Sequence, residues 1–326
     1  MIVSRLTIQV VLWNNAGTLS ALLASLKEQT FRDVRHVFID NHSVDEGVAL
    51  AAEAFPWAAI IRNQENRGFS AGHNQGLRMQ DSEYTALVNP DVILVPTVFD
   101  RCIAELDAHP QFASIGTKLL RKGEKSGIID SAGIFVTRYR EFLNRGEGEQ
   151  DQGQYGIAEE VFGINGAFIV LRRKALESIR FQEEFLDEDL FAYKDDVDLA
   201  WRLRLAGWKN WYLPKPAVFH LRAVRHESEH RILFRRSRKK SAINQLSYRN
   251  HWIVILKNDR FSRWLLPWPR QIVYELAKLV FLLFFEQTTL KAFPQLFRLA
   301  PRIAKKRRAI QAYRKVQSRD VERWFV

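Results

Sequence analysis

The chain reads as an α/β protein with a mostly parallel central sheet flanked by helices, and three features of its 326 residues predict this. The first 120 residues alternate short apolar runs with amphipathic segments, the rhythm of repeated βα units. Polar clusters follow several of the apolar runs directly, at the carboxyl strand ends where such sheets hold ligands. Hydrophobic residues make up 47% of the chain and aromatics 12%, enough for a packed core, which excludes global disorder.

In order, the pattern predicts strands at 6–12, 34–40, 58–62 and 84–88, alternating with helices at 18–28, 48–55, 71–79 and 96–109. Residues 121–160 are rich in glycine, charge and aromatics and weakly periodic, which reads as loop or hairpin. An apolar stretch at 161–171 carries Gly163 and Gly166. A helix at 172–179 follows, then a helix opened by an acidic run, and a closing strand at 211–220. Beyond a basic stretch at 222–240, three helix-like segments run to residue 326. The organisation expected is an α/β unit over 1–225 and a basic, partly apolar helical extension over 226–326.

A single cysteine, Cys102, excludes an intramolecular disulfide framework and a cysteine-rich zinc site, and suits a reducing cytosol. The first residues lack the long apolar stretch of a signal peptide and read as a strand. Charge is uneven: residues 231–326 hold 23 Lys and Arg against 5 Asp and Glu, whereas residues 1–230 hold 26 against 32.

Residues 193–208, YKDDVDLAWRLRLAGW, carry the sharpest signal. Asp195, Asp196 and Asp198 head an apolar series, Leu199, Leu203, Leu205 and Ala206, that Gly207 stops. Acids in a first helical turn suit the positive end of the helix dipole, so capping accounts for one or two of them. Three together repel one another and raise each other's pKa, a cost met where a base or a metal is wanted.

Four further places carry candidate chemistry. Asp40, Asn41, His42, Ser43 and Asp45 form either an Asx-rich turn or a set of acceptors for a nucleobase or ribose. Residues 66–76 place three glycines around a helix start, where backbone can approach a phosphate, yet match neither a P-loop nor a GxGxxG motif. Asn89-Pro90-Asp91 ends a strand with a carboxylate in the ligand crevice, or is an ordinary turn. His220 matters if Asp91 sits opposite it.

As an ordered set these residues resemble the family 2 inverting glycosyltransferases of the GT-A fold, and within them bacterial rhamnosyltransferases. The carriers are Trp13-Asn14-Asn15, Asp40-Asn41-x-Ser43-x-Asp45, Asn66-x-Gly68-Phe69-x-x-Gly72-x-Asn74, Asn89-Pro90-Asp91, Gly163-x-x-Gly166-Ala167, Asp195-Asp196-x-Asp198-Leu199-x-x-Arg202 and His220. They span roughly residues 5–225. The resemblance implies that Asp40 binds the nucleotide base, with Asn41, Ser43 and Asp45 shaping the nucleoside pocket. Asn66, Gly68, Gly72, Asn74 and Asn89 would line the nucleotide-sugar donor. Asp91 and His220 would hold Mg²⁺ or Mn²⁺, with Asn89 standing where the family has the first acid of an Asp-x-Asp motif, a weaker ligand.

The same resemblance makes Asp196 the catalytic base and Asp195 its neighbour and second candidate. It places Gly166, Ala167, Asp198 and Arg202 on the acceptor side. Trp201, Trp208 and Trp211 read as core aromatics ahead of sugar-stacking platforms. The implied donor is dTDP-L-rhamnose, and the implied acceptor is a saccharide carried on polyprenyl diphosphate, in O-antigen or capsule assembly. A non-catalytic sugar-nucleotide-binding scaffold and a nucleotidyltransferase remain as alternatives.

In the extension, RRSRKK at 235–240 and KKRR at 305–308 accompany a very apolar stretch, 272–285, interrupted by Glu275 and Lys278. That stretch falls short of the ~20 apolar residues of a spanning helix. It suits a helix lying on an anionic membrane surface, which implies a peripheral protein at the cytoplasmic face. Burial against the α/β unit or in a dimer is the competing reading. No nucleic-acid module is recognisable, so no nucleic-acid partner is expected.

Overall fold

The computed structural model describes residues 4–79, 81–122, 127–221, 238–259 and 268–326. The basic stretch expected at 222–240 lies outside the described residues except for its last three.

The first half follows the predicted rhythm: β1 (Leu6–Leu12), α1 (Ala16–Lys27), β2 (Val34–Asp40), α2 (Gly47–Ala54), β3 (Ala59–Arg62), α3 (Gly68–Arg78) and β4 (Tyr84–Val88). A short β5 (Val92–Ile93) leads into α4 (Val98–Ala108). Next comes β6 (Phe112–Arg121), a ten-residue strand that the sequence pattern does not announce, because Thr117 and Lys118 interrupt its apolar run. Both are buried, and the Lys118 ammonium reaches Asp151 at 3.0 Å. The weakly periodic region supplies β7 (Ile129–Ser131), the hairpin of β8 (Ile134–Val136) and β9 (Phe142–Asn144), and β10 (Glu159–Val161). Then follow β11 (Phe168–Arg172), α5 (Arg173–Ser178), α6 (Asp195–Leu205) and β12 (Lys209–His220). The extension forms α7 (Arg238–Asn258), α8 (Trp268–Phe285), α9 (Ala292–Tyr313) and α10 (Ser318–Glu322).

The main sheet runs β10-β12-β6-β11-β4-β1-β2-β3, with β5 beside β12 and β7 beside β6. Strands β1, β2, β3, β4, β6 and β12 share one direction, and β11 runs against it between β4 and β6. Leu12 pairs with Asp40 and Asp40 with Arg62, so the carboxyl ends of β1, β2 and β3 align along one edge.

Alternation along the strands sends side chains to both faces. Ala86 and Val88 of β4 join the core under α1 and α4, with Leu22, Phe99 and Ile103. Leu87 joins the other core with Leu77, Leu176, Leu199 and Leu203 from α3, α5 and α6. A third core unites Phe162 and Trp201 with Ile253 of α7 and Ile303 of α9, so the division expected at 225/226 cuts through shared apolar packing.

From Val197 to Leu205 every residue of α6 is buried, charges included. Burying charge is costly unless each group is paired. Asp198 accepts from Arg202 Nε at 2.8 Å, Lys257 Nζ at 2.7 Å and Asn258 Nδ2 at 2.8 Å. Lys257 also pairs with Asp187, and Lys306 reaches Glu184 at 2.7 Å and Asp189 at 2.8 Å. Burial alone would raise the Asp187 and Asp198 carboxyls, but Lys257 and its neighbouring cations hold both below the usual carboxylate range. Their contribution to stability is full at neutral pH and is lost as pH falls through the acid range.

Replacing Lys257 by Met removes the cation that two buried carboxylates share. Urea melts of Lys257→Met at pH 7 are expected to show a loss of about 3–5 kcal/mol, shrinking as the carboxyls are protonated in acid. A midpoint equal to that of the parent protein would refute the pairing.

Candidate active site

The site is built over the carboxyl edge of the sheet. Gly68 opens α3 with a positive φ of 81°, and a Cβ there would lie 2.4 Å from the Phe191 carbonyl. This close approach lets Phe69 N donate to Phe191 O at 2.6 Å, tying α3 to the segment before α6. In that segment Phe191, Tyr193 and Lys194 all adopt positive φ, a strained conformation for non-glycine residues. Asn250 of α7 holds them: its Nδ2 lies 2.7–2.8 Å from the carbonyl oxygens of Leu190, Ala192 and Tyr193.

The segment delivers the first turn of α6 into a cavity of about 420 Å³ lined by Asp195, Asp196, Gly166, Ala167 and Asn89. Phe142 and Asn144 of the β8–β9 hairpin wall its far side. Gly166 N donates to Asp196 Oδ2 at 3.1 Å, and Asn89 N donates to Ala167 O at 2.9 Å. These two hydrogen bonds join the tip of β4 to the acids across a shared cleft.

The three acids of the run have three environments. Burial and the adjacent Asp196 push the Asp195 carboxyl up to about 8. Burial also raises Asp196, opposed by N–H donation from Gly166 and Val197 and by the Lys194 charge. Asp195 therefore holds its proton at neutral pH, whereas the N–H donors and the Lys194 charge around Asp196 favour its charged form. Asp198 faces the other way. It and Arg202, expected on the acceptor side, are buried in the ion cluster behind α6, since their charges meet Lys257 and the carbonyls of Ile179 and Phe185.

Two residues beyond Asn89, Asp91 Oδ1 lies 3.2 Å from His220 Nε2, because β5 pairs with the end of β12. His220 Nδ1 donates to the buried Asp130 at 2.8 Å. Burial would lower the His220 pKa, but the hydrogen bonds to Asp130 and Asp91 win and raise it to about 9. Two carboxylates around one imidazole favour its protonated form, whose proton a metal ion at Asp91 would have to displace. Among the described residues no group of three or more acids, histidines or cysteines gathers as a metal cage. The pair nevertheless fits a cation completed by substrate phosphates: Asp91 is partly exposed, and a metal-bound histidine commonly donates its other N–H to a carboxylate such as Asp130. Asp130 lies in the weakly periodic region, where no sequence signal marked it.

The residues expected around the donor divide. Asp40 accepts from Ser43 N at 2.9 Å and Ser43 Oγ accepts from Asn14 N at 3.1 Å, forming the rim loop after β2. Asn41 braces that loop against α3 by donating to Gly68 O at 2.9 Å, and Asp45 accepts from Ala16 N at 2.8 Å at the start of α1. Asn66 Oδ1 accepts from Gly68 N at 2.9 Å, and Gly72 lets α3 pack on Val11. Asn74 is buried and bonded internally, accepting from Phe185 N and Leu186 N and donating to Leu186 O. Trp201 is core, Trp211 stacks on Phe112 at 4.4 Å, and Trp208 Nε1 donates to Ser178.

Residues 7–180, over half of the chain, match the family described as Glycosyl transferase family 2. The chain belongs to that family. The glycosyltransferase is 25% identical over 240 residues to the N-acetylglucosaminyl-diphospho-decaprenol L-rhamnosyltransferase of Mycobacterium tuberculosis (strain H37Rv), covering 67% of this chain and 76% of the relative. Among solved structures it is similar to GalNAc-T7 with UDP, GalNAc and Mn²⁺ (TM-score 0.59, 12% identity, 78% of this chain and 48% of that longer one). It is also similar to the mannosyltransferase PcManGT of Pyrobaculum calidifontis in complex with GDP-Man and Mn²⁺ (TM-score 0.51, 14% identity, 95% and 85%). The glycosyltransferase thus has the GT-A fold, its mostly parallel sheet flanked by helices.

Folding takes up a proton at Asp195, so this group's contribution to stability falls as pH rises from the ordinary carboxylate range towards 8. In ¹³C-carboxyl NMR the Asp195 resonance is expected to titrate near 8, and in Asp196→Asn at a lower pH, because burial remains and the charged neighbour is gone. A midpoint near 4 in the parent enzyme would overturn this assignment of the proton.

Proposed function

We propose that this glycosyltransferase inverts the anomeric centre of a nucleotide-activated sugar, L-rhamnose from dTDP-L-rhamnose, as it moves it onto a saccharide carried on polyprenyl diphosphate. The observation that carries the chemistry is the Asp195–Asp196 pair at a cavity that Asn89 and Gly166 also line. The name of the mycobacterial relative supports rhamnose and the lipid-linked acceptor. The strand-end motifs support dTDP by likeness.

The acceptor hydroxyl gives its proton to Asp196 while its oxygen attacks the anomeric carbon. The bond from that carbon to the diphosphate oxygen breaks on the opposite face, and the nucleoside diphosphate leaves with the electron pair. Asp195, protonated, neither competes for the acceptor proton nor adds charge beside the base. Gly166 N and Val197 N hold both oxygens of Asp196, fixing its direction. Asp91 and His220 would hold Mg²⁺ or Mn²⁺, which offsets charge on the departing diphosphate when bound. Asp130 orients His220 for that task.

The enzyme works peripherally at an anionic membrane surface on the cytoplasmic side. Among the described residues no helix is long and apolar enough to cross a membrane, whereas Val280, Phe284 and Phe285 of α8 are exposed beside the basic α9.

Asp196→Asn is expected to lower kcat by a factor of about 10²–10⁴ with donor affinity by calorimetry unchanged, and the released product of the parent enzyme is a nucleoside diphosphate. Turnover retained in the variant, or pyrophosphate as product, would sink the reading. Asp130→Asn is expected to weaken Mn²⁺ binding, followed by electron paramagnetic resonance in the presence of nucleoside diphosphate, about 10–100-fold. Unchanged Mn²⁺ affinity would remove Asp130 from the metal's support.

A further inference from the structure

Three cavities lie end to end between the catalytic acids and α8, with shared residues at each junction. Lys194 and Ser247 border both the catalytic cavity and a second one of about 280 Å³. Tyr248 borders both the second cavity and a third of about 230 Å³. The lining changes character along this line. The second cavity is mixed, with Lys194, Lys278, His251, Glu141 and Glu286 beside Phe281 and Leu282. The third is set in aromatic and aliphatic side chains, Tyr248, Trp252, Leu276, Leu279 and Phe293, with Glu275 as its one charged group. It opens at Leu276, which is 55% exposed on α8.

Two details point to an occupant of the middle cavity. His251 is 4% exposed, yet its Nε2 has no hydrogen-bond partner. An unsatisfied buried polar atom is destabilising, and a ligand atom would offset that cost. Lys194 makes no ion pair among the described residues: its ammonium donates to the Phe142 carbonyl at 3.3 Å. Lys278 is bound to Glu141, which also accepts from Tyr274 Oη at 3.2 Å.

We infer that this line of cavities is the acceptor track, a reading that rests on the lipid-linked acceptor proposed above. The acceptor saccharide occupies the catalytic cavity, its diphosphate the middle cavity beside Lys194 and His251, and the first isoprene units the aromatic groove between α7 and α8. The sequence of linings, the catalytic acids first, then a mixed-charge stretch holding Lys194 and His251, then an apolar groove, follows the order of parts in a saccharide-diphosphate-prenyl molecule. A bilayer lipid would have no use for the continuity with Asp196.

The test uses the full-length enzyme and two acceptors, N-acetylglucosaminyl diphosphate esterified with farnesyl or with methyl, both below any micelle-forming concentration. The farnesyl acceptor is expected to have a KM at least about tenfold lower, as burial of a few methylene groups requires. Leu276→Glu should raise the farnesyl KM about tenfold and leave the methyl acceptor's KM and kcat unchanged. Leu283→Glu, on the exposed side of α8 outside the groove, should change neither. Equal KM values for the two acceptors, equal effects of Leu276→Glu on both, or an effect of Leu283→Glu matching that of Leu276→Glu would overturn the track. Absence of transfer to either acceptor would instead count against the lipid-linked reading. In that case a farnesyl diphosphate bearing a benzophenone tests the track alone. Photolabelling at Trp252 or Phe293 supports it, and labelling elsewhere or none overturns it.

Discussion

Burying α6 is the constraint on which the site depends. This helix carries Asp198, Arg202 and Arg204 into the interior, where an unpaired charge would cost several kcal/mol. Each is answered: Arg204 by Glu160 at 2.8 Å and the Phe162 carbonyl, Asp198 by Arg202 and Lys257. With its body fixed from behind, only the first turn reaches the cavity, and Asp195 and Asp196 point where Gly166 receives them. One run of acids thus acquires opposite protonation behaviour from its surroundings. Cations hold Asp198 ionised, desolvation and a charged neighbour keep Asp195 protonated, and two backbone N–H groups favour charge on Asp196.

The cleft wall is a joint product of both halves of the chain. The positive-φ residues Phe191, Tyr193 and Lys194 are costly in isolation and persist because neighbours overdetermine them. Phe69 of α3 holds one end through its backbone N–H, and Asn250 and Arg249 of α7 hold the carbonyls at the other. Lys306 of α9 ties down Glu184, Asp187 and Asp189 just upstream. The extension therefore belongs to the architecture of the site, and its basic residues serve the acidic α/β unit before any external partner.

This explains what was legible in the sequence and what was not. Strands whose apolar runs are unbroken, and the polar residues directly after them, follow from local pattern, so β1 to β4 and their tips were readable. Strand β6 was not, because a buried lysine paired 33 residues away looks like a surface residue. Asn74, Asp198 and Arg202 carry the residue types of a binding site but are consumed internally by partners that local sequence does not reveal. Asp130 and Asn250 escaped notice for the converse reason: their value arises from contacts 90 and about 60 residues away. The positive tail was legible as charge. That Lys257 and Lys306 are spent in buried pairs, leaving α8 as the exposed apolar element, required the packing.

Charge balance also bears on Asn89. A carboxylate at that position would add negative charge to the cavity that Asp195 and Asp196 line. The amide keeps the oxygen acceptor and avoids that charge. One layer deeper, Asp130 sits on the other ring nitrogen of His220, so the imidazole lies between two carboxylates. That second carboxylate is fully buried. In the proposed displacement, proton removal falls to Asp196 and the charge of the departing group to the cation that Asp91 and His220 would hold.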